Sequence, residues 1–554
     1  MSGNEPTRRR VLRGAAAAGV AGVAGCAGGS DAGGDTTTTT AGTEAEPESE
    51  AGTEATGTPT RASTDGSVRH AQVKSPLELD PVVATDRPSL QVVWQVFEGL
   101  YAYDEGTELV PKLAVDEPEV NDDATRYVVE VEADARFQNG EPVTATDVAY
   151  SFRAPVEEGT ENVSELEMID AVSVVDESTV QFDLNYPFGP FRHTLAWPVV
   201  PRAEREADRA AFSTESAVGS GQFRLVEFAE GEHVTLARWD DYWDEPVANL
   251  AELEFVPIEE PTTRVTAFRT GEVDVFTQLP PKLYGTVEGM SDASIYEAPG
   301  PAYFHLAFNC REGPTADARV REAVDYTFSM DQAVENFIEP TGVRQYSPLS
   351  RPMAEAWEMP VDEWERIPHD RDLDAAKALF DEADVPDDYE WRLIVPPDDK
   401  RENIAVSVGN GLQELGFDAT VTRLDWGTFL ENFNTGNEDD YNMYMYGMWS
   451  RVDPDDTYYM FARTEDVLGV TQGTYYDGAA VSDWLERARR TADREERQRL
   501  YERALTRVLE DRVHLPSYNL KNNNAVKEYV RDFAAHPVES FHYVSSHNNV
   551  SVER

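Results

Sequence analysis

The sequence predicts an α/β chain of more than one domain, on three observations. Strand and helix patterns alternate in two separate stretches, Leu253–Phe276 and Trp391–Tyr446. Residues 106–205 alternate with period two and read as mainly β. The 554 residues exceed what one hydrophobic core organises, so the chain divides into domains with ample length for buried cores.

In chain order, the β-rich region shows first. "TRYVVEVEADARF" alternates apolar and polar residues, and "AVSVVDESTVQFDL" reads as two strands about an Asp-Glu-Ser turn. "LEFVPI", the short helix "PTTRVTAFRT" ended by Gly271, and "VDVF" then make a βαβ unit. The second stretch has the same grammar. It runs strand Trp391–Val395, helix Arg401–Leu415 stopped by Gly416, strand Ala419–Leu424, helix Trp426–Thr435 stopped by Gly436, and strand Tyr441–Tyr446. On the first of these helices Ile404, Val408, Leu412 and Leu415 form one apolar face to lay on a sheet, as in a doubly wound half. Two amphipathic helices, "VSDWLERARR" and "REERQRLYERALTRVLED", precede a final strand-like "VHLPSYNL".

The start of the chain has another character. Arg8, Arg9, Arg10 and Arg13 precede an Ala/Gly run from Gly14 to Gly25. That run is shorter than the roughly 20 residues needed to span hydrocarbon, so it reads as an export signal rather than an anchor. Thr7–Arg13 resembles a twin-arginine signal and Val23–Cys26 a lipobox, which makes Cys26 the expected lipid-bearing residue. From Ala27 to about Gly66 the Thr-, Gly- and Glu-rich sequence has no apolar periodicity and reads as a disordered tether. Asn162-Val163-Ser164 and Asn549-Val550-Ser551 are glycan acceptor triplets.

Charge excludes one class of partner. Lys and Arg total 48 against 104 Asp and Glu, a net of −56, so nucleic acid is not expected. Such an excess repels itself in dilute salt but is screened at about 1 M salt, where the Debye length falls to about 3 Å. Acidic excess of this kind is a halophile's device, and the reading is a protein of strong brine. Of the two cysteines, Cys310 in "HLAFNCRE" reads as a small buried hydrophobe, which leaves no structural disulfide.

Catalytic equipment is missing from the pattern. The chain has no G-x-S-x-G, H-E-x-x-H, Walker A, C-x-x-C or strand-following G-x-G-x-x-G motif. Nine histidines are scattered singly, so neither a metal site nor a cofactor is expected. A chain so equipped binds rather than converts. In open α/β sheets ligands lie beyond the carboxyl ends of parallel strands, which points to "YMYGMWSRVDPDD". Tyr446, Met448 and Trp449 offer apolar surface, Gly447 allows close approach, and Arg451, Asp453 and Asp455 offer charge for an amphipathic small molecule. Trp426, opening the preceding helix, is a further candidate. Packing explains part of the same pattern, with Trp449 capping the core and Arg451 pairing with the aspartates.

Eight blocks in order resemble the family 5 extracytoplasmic solute-binding proteins of ATP-driven peptide importers, over residues 68–540. They include "ARFQNGEPVTATDVAYSF", "GSGQFRLVEF", "LARWDDYW", "FRTGEVDV", "NCREGPTADARVREAVDYTFSMDQ" and "YGMWSRVDPDD". The resemblance implies a large, cluster C type periplasmic-binding-protein fold of two α/β lobes joined by crossing strands, with a β-rich subdomain on lobe 1. It assigns 67–105, 206–300 and 511–554 to lobe 1, 106–205 to the subdomain and 301–510 to lobe 2, with hinge strands near Pro301–Phe308 and Pro516–Leu520. Tyr303 and Tyr518, on those strands, join the expected ligand-binding set. The implied function is capture of peptides or peptide-like solutes by hinge closure, for delivery to a membrane permease with a separate ATPase; nickel chelates, sugars and other organic solutes are alternative ligands within the family, and a sensory or surface binding protein or an exported hydrolase on the same scaffold is the alternative class. The receptor itself is expected as a monomer, lipid-anchored on the outer face of the cell membrane. One departure matters. Peptide binders of the family often read G-W-x-x-D-x-x-D-P, the first Asp pairing with the peptide amine, whereas this chain reads Trp449-Ser450-Arg451-Val452-Asp453-Pro454 and lacks it. Arg451 in its place would favour a carboxylate or other anion.

Overall fold

The computed structural model describes residues 66–104, 106–449, 453–463, 473–538, 543–545 and 548–554, with the Trp449 side chain excepted. Cys26 and the expected tether up to residue 65 lie outside the described residues. Among the described residues no helix is long and apolar enough to cross a membrane.

One eleven-stranded sheet runs through the molecule. At one end Gly66–Gln72 lies between Leu250–Pro257 and Val275–Thr277, parallel to both. At the other end Glu390–Val395 lies between Asp418–Arg423 and Met443–Trp449, again parallel to both. Each end is therefore a βαβ unit of the kind the sequence predicts, and each has its own core. Val68, Phe97, Leu253 and Phe255 are wholly buried in the first, and Trp391, Leu393, Ile404 and Leu412 in the second.

Two long antiparallel strands join the ends. Ala293–Phe308 pairs with His514–Lys527, and these two crossing strands carry the sheet from one core to the other. Val526 packs in the first core, while Phe304, Leu306 and Tyr518 pack in the second. Their ladder shifts register twice, between Phe304 and His305 and, more widely, before Tyr303. Pro299 pairs with Lys521 and the next pair is Tyr303 with Asn519, so Gly300, Pro301 and Ala302 bulge opposite Leu520. A side chain at Gly300 would stand 2.5 Å from the Leu520 carbonyl oxygen, which accounts for the glycine. Asn519 ties the bulge down, its Nδ2 donating to the carbonyls of Gly300 at 2.8 Å and Ala302 at 2.5 Å.

The region 106–205 differs from its expectation. It holds a four-stranded antiparallel sheet of Glu119–Val120, Arg126–Glu130, Thr179–Leu184 and Ile169–Val174, but also the 14-residue helix Ala145–Glu158. A capping box starts this helix. Thr144 accepts from the Asp147 backbone, Asp147 accepts from the Thr144 backbone, and the αL residue Gly159 ends it. Asn162 of the first glycan triplet is buried, its amide donating to the carbonyls of Pro81, Val82 and Ala84, and is closed to modification. Asn549 is likewise engaged, donating to Val247 and accepting from the Asn249 amide.

Candidate ligand-binding site

Strand Met443–Trp449 pairs along its whole length with Phe308–Ala302 of the first crossing strand. On its other edge it meets Glu390–Val395 only at Met443 and Tyr444. Met445 to Trp449 therefore present backbone with no strand beside it among the described residues. Tyr446, Gly447 and Met448 in this stretch are half-buried.

An aromatic shelf flanks this edge. The helix Trp426–Phe433 is started by Asp425, whose carboxylate accepts from the Thr428 amide. The half-buried Trp426 and Tyr446 face each other at 6.1 Å and 16°, and Phe429 lies 6.0 Å from the Tyr446 ring. Phe433 closes the group at 5.4 Å from Tyr446. Sequence reasoning placed Trp426 and Tyr446 in the site separately, and the fold brings them together. Met448 pairs in register with Tyr303 and packs against the cluster of Leu349, Met353 and Trp357. Gly447 has a different role from the one expected. A Cβ there would meet the Phe304 ring at 2.2 Å, so the close approach it permits is that of a core phenylalanine.

The remaining candidates divide. The Trp449 side chain, Ser450 and Arg451 lie outside the described residues. Asp453 and Asp455, expected to face ligand, are buried and engaged. Asp453 is 2.5 Å from Arg497, and Asp455 accepts from Arg489 through contacts of 2.9 to 3.2 Å. A carboxylate desolvated to this degree needs such a partner, and the helices Ala479–Arg489 and Arg494–Glu510 supply it. Tyr303 and Tyr518 are also wholly buried. Tyr518 stacks on Phe304 at 4.5 Å and 8°, a core contact rather than a ligand contact in this conformation.

Two residues that sequence reasoning did not single out lie on the next two strands of the same sheet, His305 paired in register with Tyr446. His305 and His514, one on each crossing strand, stack at 3.8 Å and 10°, with Tyr303 4.8 Å from His305. Burial holds both imidazoles neutral, pulling His305 down to about 3 and His514 well below its ordinary value. Neither Nδ1 has a hydrogen-bond partner, nor has the Tyr303 hydroxyl. Their signal was faint, since each is a lone His in an apolar run. The sheet beside Tyr446 thus carries buried polar groups that are uncharged. Among the described residues no group of three or more His, Cys, Asp or Glu could hold a metal ion.

Comparison with known proteins agrees with this architecture. The model of the bacterial extracellular solute-binding proteins, family 5 Middle, matches residues 108–467, more than half of the chain. The chain belongs to this family. Protein XP55 of Streptomyces lividans is 27% identical over 426 residues, covering 74% of this chain and 75% of its own. The oligopeptide-binding protein AppA of Bacillus subtilis is 24% identical over 494 residues, covering 84% and 88%. Among solved structures, HbpA2 from Haemophilus parasuis superposes with a TM-score of 0.77 at 20% identity, covering 88% of this chain and 100% of its own. The fold is therefore the two-lobed periplasmic-binding-protein type, and family 5 membership accounts for the paired βαβ ends and the crossing strands between them.

Proposed function

We propose that this family 5 protein is the extracytoplasmic receptor of an ATP-driven importer, and that it captures peptides or peptide-like solutes in extended form. The observation that carries the reading is the unpaired edge of Met445–Trp449 beside the Trp426–Tyr446 shelf. An extended peptide can add to such an edge as a further strand, main-chain hydrogen bonds giving affinity and flanking pockets reading side chains. The AppA relative, named for oligopeptides, supports the same ligand class. Capture works by closure about the crossing strands, with the Gly300–Ala302 bulge as the natural point of bending. Ligand contacts that exist only when the lobes are shut draw the equilibrium toward the shut form. The receptor then hands the solute intact to a permease whose separate ATPase supplies the energy.

The test is native mass spectrometry after incubation with a casein tryptic digest, followed by calorimetry with the peptides retained. Trp449→Ala and Arg451→Ala should each weaken binding by about 2 kcal/mol, roughly thirtyfold in Kd, with melting nearly unchanged. Unaltered affinity in both removes the proposed site. Backbone N-methylation of a retained peptide should cost as much, since it deletes a strand donor; tolerance at every position would exclude strand addition.

The remaining parts of the reading concern the chain's surroundings. Cys26 carries the lipid, the residues after it form a tether on the outer face of the membrane, and the acidic surface suits strong brine. Cys26→Ser should move the protein from the membrane fraction to the medium. Continued sedimentation with membranes would overturn lipid anchoring.

A further inference from the structure

Outside the ligand site the two halves of the molecule touch at a second place. Tyr186 to His193 belong to the unit whose core holds Leu100, Phe152 and Phe191, while Arg489 to Arg497 belong to the helices packed on the opposite half. The Gly189 amide donates to the Arg489 carbonyl at 2.9 Å. A Cβ at Gly189 would stand 2.6 Å from both the Thr491 carbonyl oxygen and Arg497 Nε, so only glycine permits this approach. Phe188 lies 5.6 Å from the Arg489 guanidinium and Tyr186 lies 5.5 Å from that of Arg490.

The arginines on the receiving side are the two that hold Asp455 and Asp453. Those aspartates begin four residues after the tip of strand Met443–Trp449, so the contact rests on a platform joined to the ligand strand by a short stretch of chain. Two buried atoms of this platform have no hydrogen-bond partner, Asp453 Oδ2 and Arg497 Nε, and both face the approaching segment. His193 Nε2 stands 3.9 Å from Asp453 Oδ2, just beyond hydrogen-bond reach. The Tyr103 hydroxyl at 3.2 Å from His193 Nδ1 can donate there, which leaves the ring proton on Nε2, facing the carboxylate. Burial keeps this histidine neutral, down to about 4 against the pull of Asp453.

We infer that Tyr186–His193 and the Asp453–Arg497 platform form a latch that sets the open–closed balance of the receptor from outside the ligand site. Gly189 is already seated against Arg489 and Arg497, and on full closure Nε2–H of His193 moves the short distance needed to donate to Asp453 Oδ2. Because Asp453 follows the ligand strand, a ligand that settles the strand tip also settles the latch, and the latch in turn holds the strand tip. The inference rests on the hinge-closure reading and adds to it a set of positioning residues that never touch solute.

The test measures the distance between spin labels placed on the two lobes of the full chain, with and without a casein tryptic digest. Gly189→Val, which cannot seat, should lower the closed-to-open ratio by about tenfold or more with digest present. His193→Ala, which keeps the close approach but loses the donor, should lower it by about fivefold. Melting curves verify that each variant is folded, and His193→Ala serves if Gly189→Val does not fold. A wild-type chain showing one distance in both conditions would sink the hinge-closure reading itself. A wild-type chain that opens and closes, beside folded variants with the same ratio, would sink the latch alone.

Discussion

Acidification below pH 6.5 should destabilise this protein steeply, and three buried histidines are the reason. His70, His305 and His514 are almost wholly buried, and burial lowers His70 and His305 to about 3 and His514 well below 6.5. As the pH falls below 6.5 the unfolded chain takes up protons that the folded chain refuses, so stability present at neutral pH is lost on the acid side. Each histidine contributes a slope of about 1.4 kcal/mol per pH unit. Asp325 acts in the opposite sense. Burial raises it to about 6 despite the nearby Arg512, so its contribution is gained as the pH falls through that value and is absent above it. His193, which burial lowers to about 4, adds to the three, and the five groups together leave a net loss of about 4 kcal/mol per pH unit between pH 5.5 and 4.5. Urea unfolding at a series of pH values measures it. The double variant His305→Leu, His514→Leu should remove most of the slope. A wild-type midpoint constant from pH 7 to 5 would show that these histidines are hydrated and protonated in the folded state.

Removing one side of the buried Asp455–Arg489 pair should cost more than any surface charge change. Asp455 is 5% exposed and the Arg489 side chain 10%, with three hydrogen-bond contacts between them and the Tyr501 hydroxyl 3.4 Å from the carboxylate. Asp455→Ala leaves a guanidinium desolvated without its counter-ion, at a cost of about 3–5 kcal/mol. Replacing both residues, as Asp455→Leu with Arg489→Met, removes the stranded charge and should restore most of the loss. The exposed pair of Arg423 with Asp399 is the control, at 39% and 71% exposure, and its loss should cost about 0–1 kcal/mol. Denaturant midpoints in molar salt separate the cases, since salt screens the exposed pair and not the buried one. Equal costs for Asp455→Ala and Asp399→Ala would mean that the buried pair is solvated.

Much of the architecture was legible because its signals are local. The helix now seen as Asp399–Glu414 announced itself by one apolar face, and Gly271 by the αL turn that ends its helix. The βαβ order of both ends followed from period and punctuation. Other features were hidden for stated reasons. Ala293–Phe308 is one strand of 16 residues, but "APGP" within it reads as a break, because only pairing with His514–Lys527 carries the chain through a bulge. The helix Ala145–Glu158 was lost within a region read as β, although the Thr144–Asp147 capping box marked its start.

The same division runs through the candidate site. Trp426, Tyr446 and Met448 could be chosen from sequence because the exit of a parallel strand is a place that fold grammar designates. Which of the nearby charges are free could not be chosen that way. Asp453 and Asp455 are held by arginines more than 30 residues onward, and His305 and His514 meet across more than 200 residues. The sequence by itself determined the class of fold and the family, and pointed to the strand end proposed as the ligand site, since these rest on period, spacing and motifs within short windows. The tertiary structure alone decided which side chains are spent on each other, because desolvation and ion pairing depend on what long-range folding brings within a few ångströms.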